Sequence, residues 1–336
     1  MAARGTTIRL ADVAERAGVS LATASRSLTG TRGVSVTLAE HVREVATSMG
    51  YVTNMHARSL AGGGESSIGL IVSEIGDPYF AEIASGVIGV AAEHQRMVQI
   101  SHAADPAAVL AQIRLLRAYR VGAIVLAGSG HIDPTMDAAA DAELAAFQAS
   151  GGRVAVVGRH HIAADAVLPD NVAAGRSIGQ HLLELGHRRV ALVAGPATLN
   201  TVADRLAGLR EVLGDAVVSV SHQAFSRAGG TTGAAELLAL NRNVTAIVGL
   251  SDVMAIGVLA TLRERGIRVP EDVSVAGFDD ISVAADLSPA LTTARLPMAE
   301  IGTAALRLTM LDPASRPRRK AFSHELIVRE STGPPR

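Results

Sequence analysis

Arginine, carboxylate and aromatic side chains recur just after short apolar runs in this 336-residue chain, within 74–80, 127–131, 158–161, 194–205, 250–252 and 277–280. If those runs are parallel strands, a ligand sits beyond their carboxyl ends, so these are the positions to read for chemistry. Arg205 offers a rigid fork of donors and Asp279 a bidentate acceptor. Together they suit adjacent hydroxyls of a polyhydroxylated ligand, or else form an ion pair from lobe to lobe. Tyr79 and Phe80 matter because aromatic residues are only 2% of the chain; one of them either stacks on a sugar or base face, or the pair fills a helix-to-sheet contact. Asp77, Arg159 and Ser251 occupy the same strand-end positions and complete the candidate binding set.

Catalytic constellations do not emerge. The chain has no lysine-bearing phosphate loop, no strand-elbow nucleophile and no paired-histidine zinc helix, and its glycine-rich runs lack dinucleotide spacing. His160 and His161, and His181 with Glu184, have no third ligand at a recognisable spacing and read as surface or rim residues. No metal and no cofactor are expected, and the chain does not read as an enzyme.

A second chemistry lies near the N-terminus, where Ser20, Leu21, Ala22, Thr23, Ser25 and Arg26 form the outward part of a short helical pattern. Two helices must position it. Val13, Ala14 and Ala17 share the inner face of the first, Gly18 closes it in a left-handed conformation, and Ser20 caps the second, whose Ala24 and Leu28 point inward. Val34-Ser35 opens a third helix whose Leu38, Val42, Val45 and Met49 cover the other two. That is a helix-turn-helix, which lays the first turn of its second helix against base edges in the DNA major groove. Its core is small, so it leans on a partner or on DNA for stability.

The body needs different elements. From Ser67 apolar strands alternate with amphipathic helices: strands at 68–72, 97–100, 123–127 and 154–157, then a second series opening near 166–168 and running through 190–193, 217–220, 246–248 and 273–276. This predicts two doubly wound parallel sheets, hence an α/β body of two lobes with a cleft between them. The 48% hydrophobic and 19% charged composition suits two or three globular domains. No stretch is long and apolar enough to cross a bilayer and the N-terminus has no signal-peptide core, which predicts a cytoplasmic protein without a membrane partner. The lack of cysteine excludes disulfides and thiolate chemistry. In the first 61 residues seven arginines stand against four acidic residues, a local +3 that leaves −4 for the remainder of a chain of net charge −1. A basic head on an acidic body suits nucleic-acid binding by the head alone.

Nine short segments, in order and with matching spacing, make the chain resemble the lactose-repressor and purine-repressor family of bacterial transcription regulators over nearly its whole length. They start at Asp12, Ala22, Ala57, Asp77, Gly186, Arg205, Ser251, Gly277 and Leu291. The resemblance implies a helix-turn-helix head (1–52), a hinge helix and linker (53–65), and a periplasmic-binding-protein-like effector and dimerisation domain (66–336). Within the last, an N-lobe spans about 66–164 plus 297–321 and a C-lobe about 165–296 plus 322–332. It further implies a homodimer on a palindromic operator, with Ala22, Thr23 and Arg26 facing bases and Ser20, Ser25 and Arg32 fixing phosphates. Asn54, His56 and Leu60 would sit in the minor groove, Leu60 prising open the central base step. Asp77, Tyr79, Phe80, Arg159, Arg205, Ser251 and Asp279 would hold a sugar-like effector whose binding alters lobe closure and thereby the spacing of the two hinge helices. Two alternatives stay open: a purine- or nucleoside-type or global regulator using a co-repressor or phosphoprotein, and a small-molecule binder without DNA function.

The chain departs from that pattern at four points. Arg9 replaces the usual threonine cap, which should weaken the first helix by about 1 kcal/mol unless Thr7 substitutes. Thr53 replaces a proline before the hinge helix, and Thr29 replaces an asparagine after the recognition helix. Leu296 replaces a frequent glutamine and should make the pocket more apolar on that side. The chain has no leucine-heptad tail after Thr309, which points to a dimer.

Overall fold

The computed structural model describes residues 8–29, 33–51, 67–240 and 243–336. It divides into two compact units, 1–66 and 67–336.

In the first unit, helices α1 (Leu10–Arg16), α2 (Leu21–Thr29) and α3 (Val36–Ser48) enclose Val13, Ala14, Ala17, Ala24, Val42 and Ala46. Gly18 takes φ +65°, and Val19 N–H closes back on the Ala14 carbonyl at 3.0 Å, the αL ending that its lack of Cβ permits. Ser20 Oγ accepts from Thr23 N–H at 3.1 Å and Ser35 Oγ from Leu38 N–H at 3.4 Å, so both expected caps form. At α1 the missing threonine is offset from within the helix: the Asp12 carboxylate accepts from Arg9 N–H at 2.7 Å. Four of the six core residues are alanine, so little apolar area is buried and packing alone contributes little stability.

The second unit contains two six-stranded sheets. In the first the order is β11 (Arg319–Phe322), β5 (Asp165–Pro169), β4 (Arg153–Val157), β3 (Ala123–Ala127), β1 (Ile68–Val72), β2 (Val98–His102), parallel throughout. In the second it is β12 (Glu325–Ile327), β10 (Thr292–Arg295), β9 (Ser274–Asp279), β8 (Ala246–Gly249), β6 (Val190–Ala194), β7 (Val217–His222), parallel except for β12. Between strands of the first sheet run α4 (Pro78–Glu93), α5 (Pro106–Ala118) and α6 (Ala138–Ala149). The second lobe carries α7 (Asn171–Glu184), α8 (Asn200–Leu213), α9 (Arg227–Leu240) and α10 (Asp252–Glu264).

Residues 165–169 correct the sequence reading, which opened the second series with them. They pair in parallel with β4 and so belong to the first sheet, with Ala166 and Val167 buried in the cores on its two faces. The chain then crosses between lobes three times: after β5, after β10 and after β11. Following the second crossing, α11 (Met298–Thr309) returns to pack on α4. Backbones meet there: a Cβ on Gly302 would lie 2.0 Å from the Ile83 carbonyl oxygen and one on Gly86 1.9 Å from that of Ala299. Leu296 is packed into this core.

Candidate functional site

The head presents Leu21, Ala22 and Arg26 at its surface, while Thr23 and Ser25 are half-buried. Leu21 is 55% exposed, which leaves its side chain available for contact. The Ser20 and Thr23 hydroxyls lie 2.8 Å apart, and Arg26 Nε donates to the Ala22 carbonyl at 3.2 Å, which lays the guanidinium along the outer face of α2. Arg32, Asn54, His56 and Leu60 lie outside the described residues.

In the body the site grows from the ends of β9 and β6. Arg205, on the second turn of α8, is only 3% exposed and its guanidinium is committed on several sides. Its Nε donates to Asn171 Oδ1 at 2.9 Å, Nη1 to the Leu250 carbonyl at 2.6 Å, and Nη2 to Asp279 Oδ1 at 2.6 Å. The Phe278 ring lies 4.8 Å from its central carbon. The pair with Asp279 thus belongs to one lobe and joins α8 to β9, which removes the reading as an ion pair from lobe to lobe.

The backbone at Asp279 has φ +105° and at Asp280 φ +55°, strained values for residues with a Cβ. A network holds them there. Buried Asp252 accepts from Thr293 Oγ1 at 2.7 Å and Ile281 N–H at 2.9 Å, and Asp280 binds Arg295 and Arg329, each at 2.7 Å. Gly277 leaves room for Asp252, whose Oδ1 would be 2.2 Å from a Cβ at 277. Burial, followed by the negative charge of Asp279, pushes the Asp252 carboxyl well above the usual carboxylate range.

Across the cleft, the N-lobe contributes Asp77, Tyr79 and Phe80 from the start of α4. Asp77 caps the helix, its Oδ1 accepting from Tyr79 N–H at 3.0 Å. Its carboxyl is pushed up to about 6 by burial and then by the charge of Asp279, against the opposing pull of Tyr79 N–H and Arg205. The Tyr79 hydroxyl is raised by burial and by Asp279 as well. Asp77 and Tyr79 thus lie within electrostatic reach of Asp279 and Arg205. The Tyr79 and Phe80 rings meet edge to face at 5.0 Å and pack against the first sheet, so the helix-to-sheet alternative holds for part of their surface.

Not every candidate joins that centre. The Ser251 hydroxyl is buried and caps α10, accepting from Met254 N–H at 3.4 Å. Arg159 stands at the rim, paired with Asp204 at 2.6 Å. His160 corrects its surface-or-rim reading: it is buried, and its Nε2 donates to the Gly128 and Val157 carbonyls. His161 is exposed and His181 bonds Thr332 Oγ1; among the described residues no three His, Asp or Glu side chains cluster as a metal site. Asn171, Asp252, Thr293 and Asp204 were missed. Asn171 opens the helix two residues after β5, so only a correct lobe assignment for that strand would have pointed to it.

A DNA-reading head joined to a two-lobed α/β body with a polar centre between the lobes defines a ligand-responsive DNA-binding regulator. Known proteins agree. Residues 9–54 match the bacterial regulatory proteins of the lacI family, and residues 180–332 match the periplasmic binding protein-like domain. The transcriptional regulator reg1 of Streptomyces lividans is 32% identical, with 97% of each chain covered. Among solved structures, a Lac repressor dimer bound to operator and the anti-inducer ONPF is 25% identical with a TM-score of 0.84, covering 98% of this chain and 100% of that one. A complex of the transcriptional regulator CelR with cellobiose is 29% identical with a TM-score of 0.70, covering 96% and 99%. The chain belongs to the lacI family of bacterial regulatory proteins and is a helix-turn-helix transcriptional regulator.

Proposed function

We propose that this regulator is a dimeric repressor of a carbohydrate-utilisation operon, released from or fixed on its palindromic operator by a small sugar-like effector bound between the lobes. The observation that carries the effector class is the polar centre itself. Buried Arg205 and Asp279 face Asp77 and Tyr79, a mixture of fixed donors and acceptors beside half-exposed aromatic surface, which is what a neutral polyol requires. Arg159 and Asp204 border that centre, and Ser251 supports it through α10.

On the DNA side, Ala22, Thr23 and Arg26 read bases, with Leu21 on methyl groups, while Ser20, Ser25 and Arg32 fix phosphates. Asn54, His56 and Leu60 take the minor groove at the operator centre. Work on the chromosome places the protein in the cytoplasm, at the nucleoid when bound. Self-association is supported by apolar side chains on the outer face of the N-lobe, where Ile88 of α4 and Met97 and Ile100 at edge strand β2 are 45%, 68% and 41% exposed.

The test uses operator DNA recovered from random sequence by selection on the full-length protein. Cellobiose and a panel of neutral mono- and disaccharides are then titrated against the complex. A sugar that shifts operator affinity in the wild type should act about tenfold more weakly in Tyr79→Phe, which loses one hydroxyl but keeps its packing. If no neutral sugar shifts affinity while a purine or nucleoside does, the effector class is overturned. Leu60→Ala should weaken operator binding more than binding to random DNA; equal losses would remove the minor-groove role.

A further inference from the structure

We infer that the cleft is clasped by a seam the chain builds for itself: the N-lobe loop 128–132 caps helix α8 of the opposite lobe, so that lobe closure and placement of Arg205 are a single event. The inference needs neither operator nor effector and stands apart from the reading of either.

Helix α8 starts without a side-chain cap of its own. A helix leaves its first N–H groups without partners inside the helix. In α3, α4, α5, α7 and α10 the residue before the helix supplies one, through Ser35, Asp77, Asp105, Asp170 and Ser251. Before α8 stands Leu199, which has no side-chain acceptor. Its work falls to the other lobe. Asn200 N–H donates to the Gly130 carbonyl at 2.9 Å, and Thr201 N–H to Ser129 Oγ at 3.0 Å. Both acceptors lie in the loop after β3.

The loop is tied back in return. Ile132 N–H donates to the Thr198 carbonyl at 2.8 Å, forming a single antiparallel bridge between His131 and Leu199. Asn200 Nδ2 donates to the carbonyls of His131 and Arg159, each at 2.9 Å. One turn further along α8, Asp204 takes Arg159 Nη2 at 2.6 Å and Nε at 3.3 Å. Asp137 braces the loop from behind, accepting from His131 N–H at 3.0 Å and Nδ1 at 2.8 Å. Gly130 lets the loop lie against the 159–160 turn of its own lobe, since a Cβ there would be 2.6 Å from the Arg159 carbonyl oxygen.

Two buried acceptors, Asn200 Oδ1 in the seam and His160 Nδ1 behind it, have no protein donor. His160 Nε2 faces two carbonyls and therefore holds the proton, which leaves Nδ1 an acceptor. Ser129, Asn200, Arg159 and Asp204 are accordingly positioning residues. Four residues beyond Thr201, Arg205 meets Asp279 and the Leu250 carbonyl in a register that the capped first turn of α8 sets.

Residue-resolved amide hydrogen exchange on the full-length chain tests this. The amides of Ile132, Asn200 and Thr201 bond across the seam, so their exchange reads closure directly. Ser129→Ala should accelerate Thr201 on the order of tenfold, the effect of one lost cap, with α7 unchanged and Ser129→Thr restoring protection. Asp204→Arg should accelerate all three amides together, and adding Arg159→Asp should bring them back. Wild-type exchange at these amides in Ser129→Ala and Asp204→Arg overturns the clasp. Equal acceleration in α7 also overturns it, because the variants would then have lost only general stability.

Discussion

Arg205 and Asp279 are buried together, which changes what their removal tests. Arg205→Ala would leave the Asp279 carboxylate without its partner in the interior, and such a loss costs about 3–5 kcal/mol. The expected outcome is a lower denaturant midpoint for the body, checked by urea unfolding, and not merely a silent effector response. Asp77 is the residue to probe by pH. Its folded carboxyl titrates near 6 instead of 3.8, so its contribution to stability is fully present below 3.8 and is lost as pH rises through about 6. Asp77→Asn should therefore flatten the fall in melting temperature over that interval; an unchanged profile would mean that another group sets it. Arg205, Asp279, Asp77 and Tyr79 were all legible in the sequence because each follows an apolar run. The pairing of the first two was one of the two readings the sequence allowed, but its place within a single lobe was not legible, because spacing in sequence carries no information on which strand ends are neighbours.

At the scale of elements, the α4–α11 contact is the sharpest constraint. Gly302→Ala would place a methyl group 2.0 Å from a backbone oxygen that cannot rotate away, so the helices must separate. The expected loss is about 1–3 kcal/mol in denaturant unfolding. Gly89→Ala, on the facing helix α4 with nothing within 4 Å, should instead stabilise by about 0.5–1 kcal/mol. Alternation of apolar runs and amphipathic stretches was enough to find both sheets, whereas the return of the chain to the N-lobe over 297–321 was implied only by the family resemblance. The alternation failed at 165–169 because a buried strand reads alike whether it ends one sheet or begins the next, and only its pairing with β4 decides. The caps show a similar limit. Ser20 and Ser35 announce their helices locally, whereas the acceptors for α8 come from Ser129 and Gly130, some seventy residues earlier in the chain and recognisable only once the lobes are assembled.

The whole molecule joins a small basic head to a much larger body. A local charge of +3 over the first 61 residues neutralises few phosphates, and log affinity falls in proportion to the number neutralised as salt is raised. Two heads held at a fixed spacing double that number and add the geometry of a palindrome. The N-lobe face around β2 is where the body can supply the second head. Its edge backbone is unpaired within the sheet, and Met97 and Ile100 beside Ile88 leave apolar surface in water. Met97→Asp with Ile100→Asp introduces two charges per protomer into that face, four if two copies meet there, at a cost too large for the contact to bear. Sedimentation should then report a monomer whose operator affinity has fallen and whose salt slope is about half that of the wild type. Leu240→Asp, on α9 and 75% exposed, adds charge to an apolar position elsewhere and should leave both properties unchanged. A dimer that survives the β2 pair of substitutions would move the interface away from this face, while a monomer that keeps the full salt slope would show that one head already makes every phosphate contact.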